Sequence, residues 1–257
     1  MTEARLHQFQ GRDGLPLAYR ELGAGRPLIL VHGYTGSAVQ GWIESGIAAR
    51  VAERGYRVIM PDLRGHGDSS RPHEPAAYPP DVLGDDGVAL TEQLGLDDYD
   101  LAGYSLGGRT VIRMLARGAT PRRAVVGGQG LEAVAHASQR GGNYRHILTN
   151  FGTFEPGSQE QAVEDWVTAS GGDPVALDRL IDTWVDTPAE ALACITVPTL
   201  IMTGAADGHD RTAGALARAL AAGRYLQLPG NHFTAVQAPE FEAALTGFLA
   251  EDRAEPG

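Results

Sequence analysis

Six short apolar runs punctuate this chain: LILVH at 28–32, YRVIM at 56–60, YDLAGY at 99–104, AVVGG at 124–128, VPTLIMT at 197–203 and RYLQLPG at 224–230. Several are apolar at nearly every position. A strand with one wet face alternates apolar and polar residues, whereas a strand covered on both faces does not. Stretches with helical spacing separate the runs, near 42–54, 86–95, 105–118, 211–222 and 239–251. Doubly covered strands alternating with helices require a parallel sheet layered between helices, an α/β fold. Residues 6–22 read differently. LHQFQ, an RDG turn and LPLAYREL predict an antiparallel hairpin at one sheet edge.

From about 129 to 192 the rhythm stops. No strand pattern appears there. EAVAHASQRGGNYRHILTNF, SQEQAVEDWVTAS and DPVALDRLIDTWV read as short helices broken by Gly and Pro. The expected organisation is one core from 1–128 and 193–257, with 129–192 as a small helical cap. Ligands in open α/β sheets bind at the C-terminal ends of the strands, where such a cap would sit. Tyr144, Phe151, Trp166 and Trp184 are its candidates for a substrate pocket; packing within the cap itself accounts for most such aromatics.

Composition removes several function classes. All 21 basic residues are arginine, so a phosphate-binding loop that needs its lysine, Schiff-base catalysis and Ser-Lys hydrolysis are out. The formal charge of −11 opposes a nucleic-acid surface. One cysteine, Cys194, rules out an internal disulfide or a thiolate metal cluster. No apolar run approaches the ~18 residues of a membrane span. The N-terminal MTEARLHQFQ lacks the apolar core of a signal peptide, so a cytoplasmic protein is expected.

Within LAGYSLGGRT, residues 101–110, Ser105 lies between glycines two before and two after it. With 34 glycines in 257 residues and eight serines, about 0.14 such matches arise by chance, so the pattern alone proves little. Its context adds weight. It follows an apolar run and opens a helical pattern, the strand–serine–helix order in which a sharp turn lifts a serine clear of a sheet. A serine needs a base, and the base an orienting acid. Of eight histidines, His7 and His73 lie in polar edge or loop text, and His136 and His146 in the insertion. His32 and His66 belong to tight loops, and His209 shares a loop with two aspartates. His232 alone follows the last apolar run, on the sheet edge that carries Ser105. Asp207, just past the run at 197–203, is the expected acid; Asp210 is its rival. The N–H groups of Leu106 and of Tyr34, after His32-Gly33, are the expected oxyanion donors. The acid and imidazole groups of MPDLRGHGDSS at 60–70, Asp62, His66 and Asp68, read as a structural turn and not as a metal site.

HG at 32–33, DLRGHGDSSRP at 62–72, GYSLGG at 103–108, VPTLIMTGAAD at 197–207 and GNHF at 230–233 together resemble the α/β-hydrolase fold family, over nearly the whole chain. The resemblance is to its small cap-bearing esterases, perhydrolases, C–C hydrolases and lactonases. It implies a mostly parallel, eight-stranded twisted sheet with helices on both faces and a helical cap. It also implies catalysis by Ser105, Asp207 and His232 without cofactor or metal. Serine at 105 separates the chain from haloalkane dehalogenases, which place aspartate there. The cap matches no substrate class. The implied activity is hydrolysis of an ester, thioester or lactone, the net charge and cap aromatics favouring an uncharged, partly apolar molecule. Acyl transfer or cyclisation on the same triad, a cofactor-free lyase, and a non-catalytic ligand-binding module are the alternatives. A small molecule is the expected partner, with neither nucleic acid nor membrane involved.

Overall fold

The computed structural model describes residues 4–251 of the chain. Eight strands form one sheet: β1 (Arg5–Gln10), β2 (Pro16–Gly23), β3 (Arg26–Val31), β4 (Tyr56–Pro61), β5 (Asp100–Tyr104), β6 (Ala124–Gly127), β7 (Thr199–Gly204) and β8 (Gly223–Leu228). Their spatial order is β1-β2-β4-β3-β5-β6-β7-β8. The expected hairpin is present, β1 pairing antiparallel with β2 from Arg5↔Glu21 to Gln10↔Pro16. β2 is also antiparallel to β4, and every later pairing is parallel.

Side chains alternate between two cores, which is why the central strands are apolar throughout. Leu28, Leu30, Val58, Met60, Ala102, Val125 and Met202 face one layer with Trp42, Phe241 and Phe248. Ile29, Val31, Ile59, Leu101, Val126 and Ile201 face the other with Val111, Ile112 and Leu216. The first layer is covered by α1 (Ile47–Ala52) and a C-terminal helix, Pro239–Ala250. The second is covered by α2 (Val82–Gln93), α3 (Leu106–Ala116) and a helix at Asp210–Ala219.

Local chemistry moved some boundaries. The helix expected over 42–54 is broken: a π-helical turn covers Val39–Ile43, and Gly46, at φ 73°, reverses the chain before α1. The last run, 224–230, is not buried on both faces. β8 has a single neighbour, and Tyr225 and Leu226 are 37% and 40% exposed.

Between β6 and β7 the chain makes helices and no strand: α4 (Leu131–Ala135), α5 (Gly142–Thr149), α6 (Gln159–Ala169), α7 (Pro174–Ile181) and α8 (Ala189–Ala193). The start of α6 is set by Ser158, whose Oγ accepts from the Gln161 N–H, and that of α7 by Asp173, which accepts from Val175 and Ala176 ahead of Pro174 in the first turn. Arg145 ties α5 to α7 through Asp178 at 3.0 Å and Asp182 at 2.7 Å. The expected edge at 192–193 falls inside α8. Among the described residues no helix is long and apolar enough to cross a membrane.

Candidate active site

β3 and β5 lie side by side, Val31 in register with Gly103, at the point where the strand order reverses. The loops leaving them therefore meet. Ser105 stands between β5 and α3 at φ 56° and ψ −119°, a strained conformation for a residue with a side chain. Surrounding hydrogen bonds hold it there: its N–H donates to Gly127 O at 2.9 Å, and its own carbonyl accepts from Gln129 Nε2 at 2.6 Å. The flanking glycines are steric necessities. A Cβ on Gly107 would lie 2.0 Å from Val31 O, and one on Gly103 2.3 Å from Gly107 O.

The structure brings Ser105, Asp207 and His232 together. His232 Nε2 is 2.9 Å from Ser105 Oγ, and His232 Nδ1 is 2.7 Å from Asp207 Oδ2. Asp207 is buried, and its other oxygen accepts from the His209 N–H at 2.9 Å. Burial pushes the Asp207 carboxyl up, but the hydrogen bonds from His232 and His209 outweigh it and hold the group below the ordinary value. Asp210 is engaged elsewhere, by Thr203 Oγ1 and Gln227 Nε2, each at 2.8 Å, and by the Tyr225 hydroxyl. Tyr104, the residue before the serine, went unremarked in the sequence. Its hydroxyl donates to His232 O at 2.7 Å, bracing the loop that carries the imidazole.

The β3 loop supplies the other half of the site. A Cβ on Gly33 would stand 3.4 Å from Ser105 Cβ, so this backbone lies directly against the serine. The Gly33 carbonyl is gripped by His32 Nδ1 at 2.8 Å and by the Gly36 N–H at 3.2 Å. A trans peptide points its N–H opposite its carbonyl. Holding the Gly33 carbonyl therefore fixes the direction of the Tyr34 N–H. Among the described residues neither the Tyr34 nor the Leu106 N–H has a protein acceptor. His32 is thus a positioning residue that sequence reasoning set aside as part of a loop motif. Its Nε2 accepts from the Leu63 N–H at 3.0 Å, which fixes the tautomer with the proton on Nδ1.

Both loop histidines resist protonation. Burial lowers His32, and burial followed by the neighbouring His32 pushes His66 to about 4, against two carbonyl contacts that pull the other way. The unfolded chain takes up these protons near 6.5, so it binds more protons than the fold below that pH. Stability is therefore full above about 6.5 and declines as pH falls towards about 4, by roughly 3 kcal/mol for His66 alone. Unfolding free energies from urea melts at pH 7.5 and 4.5 should differ by roughly 2 kcal/mol or more; equal midpoints would refute neutral imidazoles in this loop.

The cap aromatics do not act alike. Trp184 and Tyr144 meet the Tyr34 ring edge-on, with centroids 5.4 and 5.0 Å away, and the Tyr34 hydroxyl donates to Leu177 O at 2.5 Å in α7. One residue thus links the β3 loop to the helical insertion. Phe151 is half-buried against an apolar cluster that runs from the sheet into the insertion, and Trp166 is 55% exposed on α6; neither ring meets that of Tyr34 as the other two do. The turn at 60–70 is occupied with itself. Asp62 accepts from the Ala38 and Asp68 N–H groups, while the Asp68 carboxylate pairs with Arg20 at 2.6 Å. Asp207, His209 and His232 offer ligand atoms within 4.8 Å of one another, a spacing that a metal ion would accept, although Asp207 and His232 already bond each other.

A family model described as the alpha/beta hydrolase fold matches residues 26–127, from β3 through the serine turn to β6. The chain is 35% identical over 111 residues to the AB hydrolase superfamily protein YisY of Bacillus subtilis (strain 168), covering 43% of this chain and 40% of that protein. It is 38% identical over 105 residues to a non-heme haloperoxidase of Rhodococcus erythropolis, covering 41% and 36%. The matched stretch spans about two fifths of the length of these curated relatives. A solved structure, a hydrolase from Pseudomonas aeruginosa, superposes over 96% of this chain and 99% of its own with a TM-score of 0.73 at 26% identity. Whole-chain agreement in fold, added to the match through the serine turn, shows that this chain has the α/β-hydrolase fold.

Proposed function

We propose that this chain is a serine hydrolase that cleaves a carboxylic ester, thioester or lactone through an acyl-enzyme on Ser105. The observation that carries this reading is the unbroken relay from Asp207 Oδ2 through both nitrogens of His232 to Ser105 Oγ. His232 Nε2 takes the serine proton as Oγ bonds to the substrate carbonyl carbon. The oxyanion so formed is stabilised by the Tyr34 and Leu106 N–H groups. Collapse breaks the bond to the leaving oxygen or sulfur, which takes the proton from His232. Water, deprotonated by the same nitrogen, then releases the acid. Asp207 keeps the proton on Nδ1 and stabilises the imidazolium.

Residues 129–192 act in this reading as a cap over the serine, with Trp184 and Tyr144 as its pocket-facing aromatics. Phe233, 68% exposed with its ring 5.6 Å from that of His232, supports an apolar leaving group. The exposed free thiol of Cys194 supports a reducing, cytoplasmic setting. Intact-mass analysis after a fluorophosphonate probe tests the chemistry. One adduct per chain is expected, absent in Ser105→Ala and formed far more slowly in His232→Ala. Turnover of esters without any adduct would replace the acyl-enzyme by a mechanism in which His232 acts as base and Ser105 only donates a hydrogen bond.

A further inference from the structure

Arg109 lies one helical turn beyond Ser105, its N–H donating to the Ser105 carbonyl at 3.1 Å. Its guanidinium stacks over the Trp184 ring, 4.3 Å from the centroid. Among the described residues Nε and Nη1 are closed off from solvent and have no acceptor, and neither has the Trp184 indole N–H. Three donor atoms on two touching side chains thus lack an acceptor. The residue as a whole is only half-buried, and Nη2 is the guanidinium nitrogen not closed off in this way.

Several other buried or half-buried arginines of this protein are paired. Arg64 has Asp13 and Asp86, Arg113 has Asp81 and Arg122 has Asp100. With 32 acidic residues in the chain, carboxylates are not scarce. At Arg109 there is none among the described residues. Burial, followed by the like charge of Arg140, pushes the guanidinium down to about 10, and of its electrostatic neighbours only Tyr144 opposes that shift. Burial lowers His209 as well, to about 4, with both arginines among the further causes, so the same positive field reaches the loop beside His232. A buried cation without a partner is strongly unfavourable unless something supplies the anion.

We propose that Arg109, with the Trp184 indole N–H, forms a subsite for a carboxylate on the substrate, placed a few bonds from the carbonyl that Ser105 attacks. The inference rests on the hydrolase reading of Ser105 and names its substrate class: esters, thioesters or lactones that carry a free carboxylate. The two residues stand one turn apart at the start of α3, and half-esters of short dicarboxylic acids are the probes for a carboxylate so placed. The uncharged substrate expected from the net charge gives way here. Distant acidic residues are screened within about 8 Å, so the net charge of the chain does not set the charge that this subsite accepts.

The test compares monoethyl glutarate with ethyl glutaramate, in which a neutral amide replaces the carboxylate. The wild type should show kcat/KM roughly tenfold or more in favour of the half-acid, as expected of a charge-assisted contact. Arg109→Met should erase that preference and Arg109→Lys should keep part of it. Without ligand, Arg109→Met should melt no lower than the wild type, because it removes an unpaired buried charge. A binding arm needs no chemistry: glutarate should raise the thermal midpoint of Ser105→Ala but not of Ser105→Ala with Arg109→Met. Equal rates on the two esters with no stabilisation by glutarate would overturn the subsite, as would a large drop in melting temperature in Arg109→Met with the preference intact, the mark of a purely structural stack. Arg109-dependent stabilisation by glutarate without fluorophosphonate labelling of Ser105 would keep the subsite and remove the hydrolase reading.

Discussion

Ser105→Ala is expected to lower kcat by roughly 10⁵- to 10⁶-fold, and His232→Ala by a similar factor, with the fold intact in both. The turn that carries Ser105 is held through its own backbone, by the Gly127 carbonyl and the Gln129 side-chain amide, and by the close approach at Gly103 and Gly107. None of these uses the serine hydroxyl, so an alanine leaves the turn unchanged. What it removes is the oxygen 2.9 Å from His232 Nε2. The double variant should be scarcely slower than either single one. In the proposed mechanism the two groups perform a single step, so that once one is gone the other has nothing to act on. Steady-state rates on an activated ester, with circular dichroism as the control for folding, provide the measurement. Multiplicative losses in the double variant would show two independent contributions and would sink the relay.

The second large effect separates two aspartates three residues apart. Asp207→Asn should lower kcat by roughly 10³- to 10⁴-fold, less than loss of the serine, because the base remains but its preferred tautomer and the stabilisation of its cation are lost. The position is sensitive for a structural reason. Asp207 is buried, holds His232 through one oxygen and the His209 N–H through the other, and stays ionised because those bonds outweigh its burial. Asp210→Asn should change kcat by less than about threefold, since Asp210 is bound to Thr203, Tyr225 and Gln227 and not to His232. It should show instead as a small loss in melting temperature. A large kinetic loss at Asp210 with none at Asp207 would exchange their roles.

Much of the site was legible because strand ends deliver side chains to one sheet edge. Ser105, Asp207 and His232 each follow an apolar run, and parallel strands place all such positions on the same side. Nearness to the strand end favours Asp207 in the sequence; in the structure Asp207 meets His232, and Asp210 meets Gln227. Other features left no such trace. The helix broken at Gly46 reads as continuous in a spacing pattern, which does not register one residue turning left-handed. The run at 224–230 looked buried because apolar content does not say whether a strand has one neighbour or two.

The sequence by itself determined the alternation of doubly covered strands with helices, the edge hairpin, and the residue types at three strand ends. These depend on periodicity and on chain order, which a linear string contains. Only the tertiary structure decided that His32 grips the Gly33 carbonyl, that Tyr104 braces the His232 loop, that Tyr144 and Trp184 but not Trp166 meet Tyr34, and that Arg109 has no carboxylate beside it among the described residues. Each of these is a relation between residues far apart in the chain, or the absence of one. Whether a buried charge has a partner depends on what the fold places opposite it, and no spacing along the chain encodes that.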